Sequence, residues 1–412
     1  ADYTLFRERS WVERTFSEIQ PGSLRGSIFT LCSSTIGAGL LSLPYSVGLC
    51  GAGLGFALIV LGGLAYTLYY KILIAACAKC EIYSYEDIVQ HYYGQVGRRV
   101  AEVSIVFICF GSFTAYMSIV VVLTMSVFAS VGVIGGESEE FRVMLLAAIT
   151  IGLWMPISMA EHLSSLRYGS MMCVFGIVYI TTIVVLQSPI YISANTSNIM
   201  AEGVLYKLNL RIFDAASVMF FSYDGIQSAP IVFEELKNRS RKRMNKVLNR
   251  SFILLTGFYS LLGVLGYLSY APNVPELIVF RQPLEGSPEN DWVMVIARIV
   301  IAAALSAAVP INLLPTRRGI QHMIVGSRGF SSFANKVLTT GLLILAFTLA
   351  AGCPSAIMYF KLMGGFISVI LVFIIPTLLY LKYSNDFLRK TSLLACTFIC
   401  TALGFSCVAL SL

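Results

Sequence analysis

The sequence predicts an all-α polytopic membrane protein, and three observations carry that expectation. Of 412 residues, 57% are hydrophobic and only 12% charged, with a mean hydropathy of +0.78, whereas soluble domains carry about 25% charged residues. The apolar residues gather into long runs, among them 51–78, 104–134, 169–190, 336–360 and 391–412. Each is near the roughly 20 residues that cross a hydrocarbon core as a helix. Such runs far exceed the roughly 10 alternating residues of a barrel strand, and lipid offers no partner to unpaired backbone, so the spans are helices.

Breaks at charges, prolines and glycines divide the chain into eleven candidate spans. The first, 26–49, is interrupted by Gly37, Gly39 and Pro44; the second, 52–78, follows Gly51. The third, 99–133, starts at the Arg98–Arg99 pair, the fourth is 141–159 and the fifth 169–190. The sixth, 211–236, is interrupted by Gly225 and Pro230, and the seventh, 247–271, ends before Pro272. The eighth, 291–316, stops at Arg317, the ninth is 334–352, the tenth, 355–382, follows Pro354, and the eleventh is 390–411.

Charge sets the expected orientation. With the N-terminus cytoplasmic, 22 of the 29 Lys and Arg fall on the inner side, the pattern of the positive-inside rule, which places the C-terminus on the outer or luminal face. The sequon Asn195–Ser197 falls on an outer loop, in agreement. No cleavable signal is evident, and Trp11, Val12 and Phe16 in the charged segment 1–25 suit an amphipathic helix lying on the membrane or a docking element for a protein partner.

The expected layout is therefore a cytoplasmic segment 1–25, spans 1–5 (26–190), an outer loop 191–210, spans 6–10 (211–382), and a loop with an eleventh span (383–412). Two blocks of five spans place the second inverted relative to the first. Each block opens with an interrupted helix, which points to a midplane binding site. Connections of at most about 20 residues leave no room for a soluble domain, and the net charge of +7 reads as topology rather than nucleic-acid binding.

Enzyme chemistry finds little support. The ten cysteines lie mostly in apolar runs, Cys77 and Cys80 form a CxxC with no second pair, and His91, His162 and His322 lack metalloprotease spacing. No nucleophile–base pair of familiar spacing appears, and no metal or cofactor is expected.

Two constellations carry the candidate site. In span 1, Thr35, Ile36, Gly37, Ala38, Gly39 and Leu40 precede Pro44; small residues and a missing donor make this stretch easy to unwind, so that its amides turn towards a carboxylate. The alternative is a small-residue packing face. In span 6, Phe221, Ser222, Tyr223 and Asp224 precede Gly225, and an acid about twelve residues from either end costs roughly 2.5–3.5 kcal/mol unless paired, solvated or protonated. Asp224 is thus a candidate for a proton or an amine; the alternative is a buried ion pair with Arg298 or Lys361, or a hydrogen-bonded protonated acid, that only holds helices together. Those two cations are otherwise expected to snorkel. Glu102, Glu234 and Glu235 are candidates for an inner gate, and Tyr116 for a gating aromatic on span 3.

The stretches GSIFTLCSSTIGAGLLSLPYSVGLCG and FSYDGIQSAPIVFEELKNRSRKRMNKVLNRS resemble the amino acid/auxin permease family of the amino acid, polyamine and organocation superfamily, and within it the system A and system N branch. The resemblance implies a leucine-transporter-like fold of ten core helices plus one and secondary transport of an amino acid driven by Na⁺ or H⁺. It implies substrate contacts in 35–40 and 221–224, and ion coupling at Ser33, Ile36, Ser306 and Asp224. Ser33 replaces that branch's asparagine, and Asp224–Gln227 replaces its Val-Cys-His-Pro run, which brings span 6 closer to proton-coupled members. Two other classes fit the same helices: an amino-acid-sensing receptor without net transport, and an accessory subunit of a membrane complex.

Overall fold

The computed structural model describes residues 22–132, 138–159, 167–196, 199, 205–283, 291–326, 330–384 and 387–411. The expected surface helix around Trp11, together with His162, lies outside the described residues. Every regular element among them is helical. Nine helices are long and apolar enough to cross a membrane, and a bent pair, Leu24–Thr35 with Ala38–Cys50, makes ten. The expected count of eleven is not reached by that measure, because the sixth candidate consists of two short helices, Ile212–Tyr223 and Ser228–Glu235.

Boundaries shift at the end of the bundle where span 1 begins. The third helix runs Tyr85–Ser130 rather than starting at 99, with Gly94 at φ 65° inside it. An interfacial helix thus joins the span across a glycine in the left-handed region. The eighth runs Trp292–Val325, past Arg317 and Arg318, nearly three turns beyond its apolar stretch. Starts are set by local chemistry: Ser23, Ser84, Ser138, Ser240 and Ser331 each accept a backbone N–H of the first turn, as does Asp291.

Both expected interruptions are real breaks. Span 1 bends by 60°, with Ile36 and Gly37 extended between the halves. Span 6 stops at Tyr223 and resumes at Ser228, with Asp224 extended. The two breaks lie against each other through glycines: a Cβ on Gly39 would sit 2.7 Å from Ser222 Oγ, and one on Gly225 3.1 Å from Thr35 Oγ1.

Breaking a helix in lipid leaves carbonyls without donors, and in span 6 buried tyrosines supply them. Tyr66 O–H donates to Phe220 O at 2.6 Å and Tyr259 O–H to Ser222 O at 2.7 Å, while Asp224 N–H donates to Phe221 O. Those tyrosines form one aromatic cluster with Tyr223, Phe252 and Phe373. Span 10 widens into a π-helix over Met363–Ile374, and Tyr85 O–H caps its Leu371 O at 2.6 Å.

The expected snorkelling cations are held inside instead. Lys361 Nζ lies 2.6 Å from Asp214 Oδ2, and Arg298 donates to Val279 O and Ser126 Oγ. Apolar surroundings make such bonds preferable to leaving donors unpaired. Asn195 Nδ2 donates to Ala271 O at 2.5 Å, so the sequon asparagine is engaged with backbone and supports topology less than its motif suggested.

Spans 6, 10 and 11 approach through glycines as lipid-embedded helices do. A Cβ on Gly364 would fall on Ser217 O and within 2.8 Å of Phe221 N. Gly364→Val is therefore expected to cost about 1–3 kcal/mol or more by overpacking, read as a lowered thermal midpoint of the purified protein in detergent. Gly341→Val, where a Cβ meets open space, should leave the midpoint nearly unchanged.

Candidate functional site

A cavity of about 490 Å³ lies between the two breaks, walled by spans 3 and 8. Span 3 contributes Ile105, Ile108, Cys109, Ser112 and Tyr116, spaced along one helical face. Span 8 contributes Leu305, Ala308 and Asn312 at the same kind of spacing. Towards Thr30, Ser34 and Ile231 the wall is exposed. At the other end Leu40, Leu41 and Leu43 are fully buried, Phe221 stacks on Phe360 at 4.6 Å, and the turn Ile278–Phe280 packs on Ala38–Ser42. The cavity is thus open at the end where span 1 begins and closed at the opposite one.

The helix ends around it are electrically unlike. The last helical bond of Leu24–Thr35 runs from Ile36 N–H to Cys32 O, which leaves the carbonyls of Ser33, Ser34 and Thr35 beyond the helical register. Tyr223 ends the other incoming half-helix, and Asp224 stands at that end. Both are negative dipole ends. The 3₁₀ turn Ala38–Ser42 and the helix Ser228–Glu235 start here; Leu40, Ser228 and Ala229 N–H already donate to Gly37 O, Gly225 O and Ile226 O, which leaves the amides of Ala38 and Gly39 without a helical acceptor. An anion is favoured at those amides and a cation or proton at Asp224. The Asp224 carboxylate accepts from Ser368 Oγ on Oδ2 at 2.5 Å and from Gly225 N–H on Oδ1 at 2.6 Å.

Ser33, Thr35, Ile36, Gly37, Gly39, Tyr116, Phe221, Ser222 and Asp224 line the cavity, and Tyr116 O–H would meet a Cβ on Gly37 at 3.0 Å. Ala38, Leu40 and Tyr223 do not line it. Ala38 and Leu40 are buried behind the turn, and Tyr223 points the other way, donating to Ile59 O and Thr256 Oγ1 at 3.1 Å each. Ser306 also lies off the lining, one helical step from Leu305, with its carbonyl accepting from Trp154 Nε1. The structure therefore does not bring Ser33 and Ser306 together in this cavity. Asp224 pairs with neither Arg298 nor Lys361.

Ser368 and Gln227 were not anticipated. Ser368 sits in a continuous apolar run and gives no sequence signal of its own. Gln227 lines the cavity with a buried side-chain oxygen that has no hydrogen-bond partner in the structure, and only its position beside Asp224 could have marked it. Of the inner-gate candidates, Glu102 accepts from Arg98 Nε at 2.7 Å and lies 2.7 Å from His322 Nδ1, tying span 3 to span 8. Glu234 and Glu235 are exposed.

A bundle with two broken helices facing each other across a cavity defines the class of broken-helix membrane transporters. The chain belongs to the transmembrane amino acid transporter protein family, whose model matches residues 20–412. It is 25% identical over 391 residues to the sodium-coupled neutral amino acid symporter 2 of Danio rerio, with 89% of this chain and 77% of that protein covered. It shares its fold with a Na⁺-coupled sialic acid symporter (TM-score 0.52, 12% identity, 93% of this chain and 89% of that one). A manganese transporter mutant from Eremococcus coleocola is likewise similar (TM-score 0.54, 13% identity, 92% and 84%). Family and relatives are transporters, not enzymes.

Tyr223 tests the distinction between lining and scaffold. Tyr223→Phe should lower the thermal midpoint, through roughly 1 kcal/mol of lost hydrogen bonding, while leaving the affinity for bound substrate intact.

Proposed function

We propose that this chain is a secondary active amino acid transporter that works by alternating access, with the cavity here open to the cytoplasm and closed to the outer face. The observation that carries the reading is the pairing of unlike helix ends across one cavity. An α-amino acid is a zwitterion, and its carboxylate matches the amides at Gly37–Gly39 while its ammonium matches Asp224 and the carbonyls of Ser33–Thr35. The inward orientation rests on the excess of Lys and Arg at the end where span 1 begins. The remaining wall is mostly apolar, which suits a substrate side chain of modest polarity.

Two coupling ions are in play. A proton is favoured by Asp224, an acid in the break with a hydroxyl donor from span 10. Sodium is favoured by the relative from Danio rerio, which is named as sodium-coupled. On the proton reading, Asp224 alternates between holding a proton and holding the Ser368 and Gly225 donors, so that loading and release follow the side to which the cavity opens.

Uptake of a radiolabelled amino acid panel into proteoliposomes, with an inward Na⁺ gradient, an inward H⁺ gradient or neither, tests both. Accumulation above equilibrium is expected under one gradient only, and binding with no uptake under any condition would overturn the transport reading. If the proton is the coupling ion, Asp224→Asn abolishes accumulation yet keeps exchange of internal for external substrate. Loss of exchange as well would make Asp224 a substrate ligand instead, and normal, pH-dependent uptake would remove it from both roles.

A further inference from the structure

Outside the central cavity, two adjoining hollows run along the lipid-facing seam between spans 3 and 10. The larger, about 540 Å³, is lined by Arg99, Val103, Phe107, Met363, Phe366 and Ile370 among others. The smaller, about 190 Å³, continues it towards the inner end past Val96, Tyr93 and Leu378, with Val100 shared between them. From Val96 to Phe107 the helix rises about 16 Å, the depth of one leaflet of a roughly 30 Å core.

The groove is apolar along its length and cationic at one end. Arg99 is half exposed there. Across the seam Lys382 is exposed, with its ammonium 5.3 Å from the centre of the Tyr93 ring that lines the inner hollow. Among the described residues the acid in contact with Arg99 is Glu102, which is 4% exposed and turned inwards to Arg98 and His322, touching Arg99 only at 3.4 Å. The two hydroxyls on the wall are both spent on backbone, Ser104 donating to Val100 O and Tyr93 to Leu378 O. A ligand of this groove therefore has one long apolar arm and an anionic head at the membrane interface.

We propose that the seam between spans 3 and 10 is a binding site for a single anionic phospholipid. One acyl chain lies against Val103, Phe107, Phe366 and Ile370, and the phosphate sits between Arg99 and Lys382. Basic residues cluster at this end of the bundle, and the cytoplasmic leaflet carries the anionic lipids that such residues attract. The groove wall on span 10 is the π-helical segment Met363–Ile374, whose other face places Ser368 on Asp224. The lipid thus braces the helix that holds the central carboxylate, and π-helical turns are places where helices readily change register.

The test is native mass spectrometry of the full chain in detergent, titrated separately with phosphatidylglycerol, phosphatidylcholine and cholesterol. One phosphatidylglycerol per chain is expected to bind in preference to the other two. The double variant Arg99→Gln, Lys382→Gln should weaken phosphatidylglycerol about 30-fold, from roughly one interfacial charge interaction lost at each position, and leave phosphatidylcholine unchanged. Val103→Trp, which fills the groove without altering charge, should weaken it too. Phosphatidylglycerol with a photoreactive chain should crosslink to peptides covering 96–107 and 362–378. Equal binding of the three lipids, preferential binding of the sterol, unchanged affinity in both variants, or crosslinking elsewhere would each overturn the assignment. None of these readouts depends on uptake, so the lipid site and the transport reading fail independently.

Discussion

The structure depends on breaking two helices inside a membrane without leaving their backbone unpaired. In water the exposed amides and carbonyls would be solvated, whereas in hydrocarbon each orphan group costs several kcal/mol. Span 6 meets this constraint with side chains from elsewhere: Tyr66 and Tyr259 reach the carbonyls of Phe220 and Ser222, and Asp224 N–H closes on Phe221 O. Span 1 meets it only in part. Ser34 and Thr35 hydroxyls fold back onto Leu31 O, and the carbonyls nearest the break face a polar cavity. The asymmetry separates scaffold from site, because groups already satisfied by tyrosine are unavailable to a ligand.

The same constraint orders the packing around the break. The tyrosines that cap span 6 need a rigid bed, and the rings of Tyr66, Phe252, Tyr259 and Phe373 provide it from spans 2, 7 and 10. Close approach of spans 6, 10 and 11 needs Gly364, Gly365 and Gly404, where any side chain would strike backbone. The π-helical stretch of span 10 then turns Ser368 towards Asp224. Asp224 is held by spans 6 and 10, while the opposite wall, spans 3 and 8, is joined at its inner end by Glu102, Arg98 and His322.

Much of this was legible in the chain itself, and what was not has identifiable causes. Long apolar runs mark spans because hydropathy is a local property, and Gly37, Gly39 and Gly225 mark breaks because glycine and proline act on their own backbone. The sequence placed Asp224 in the site by its cost alone. It could not show that Tyr223, its neighbour, turns away into the aromatic bed, or that Ser306 lies off the cavity lining, since the rotation of a helix is set by its neighbours. Nor could it foresee that Lys361 finds Asp214 across 147 residues and so does not snorkel.

By itself, then, the sequence determined the membrane class, the approximate places of most spans, the two breaks, and an acid at the second of them, because each follows from side-chain transfer energies and backbone freedom within a short window. Tertiary structure alone decided which faces of spans 1, 3, 6 and 8 meet around the cavity, which end of it is closed, and which partner holds Asp224. Those depend on contacts between helices distant in sequence, where a rotation of one residue carries a side chain about 100° around the axis and turns lining into packing.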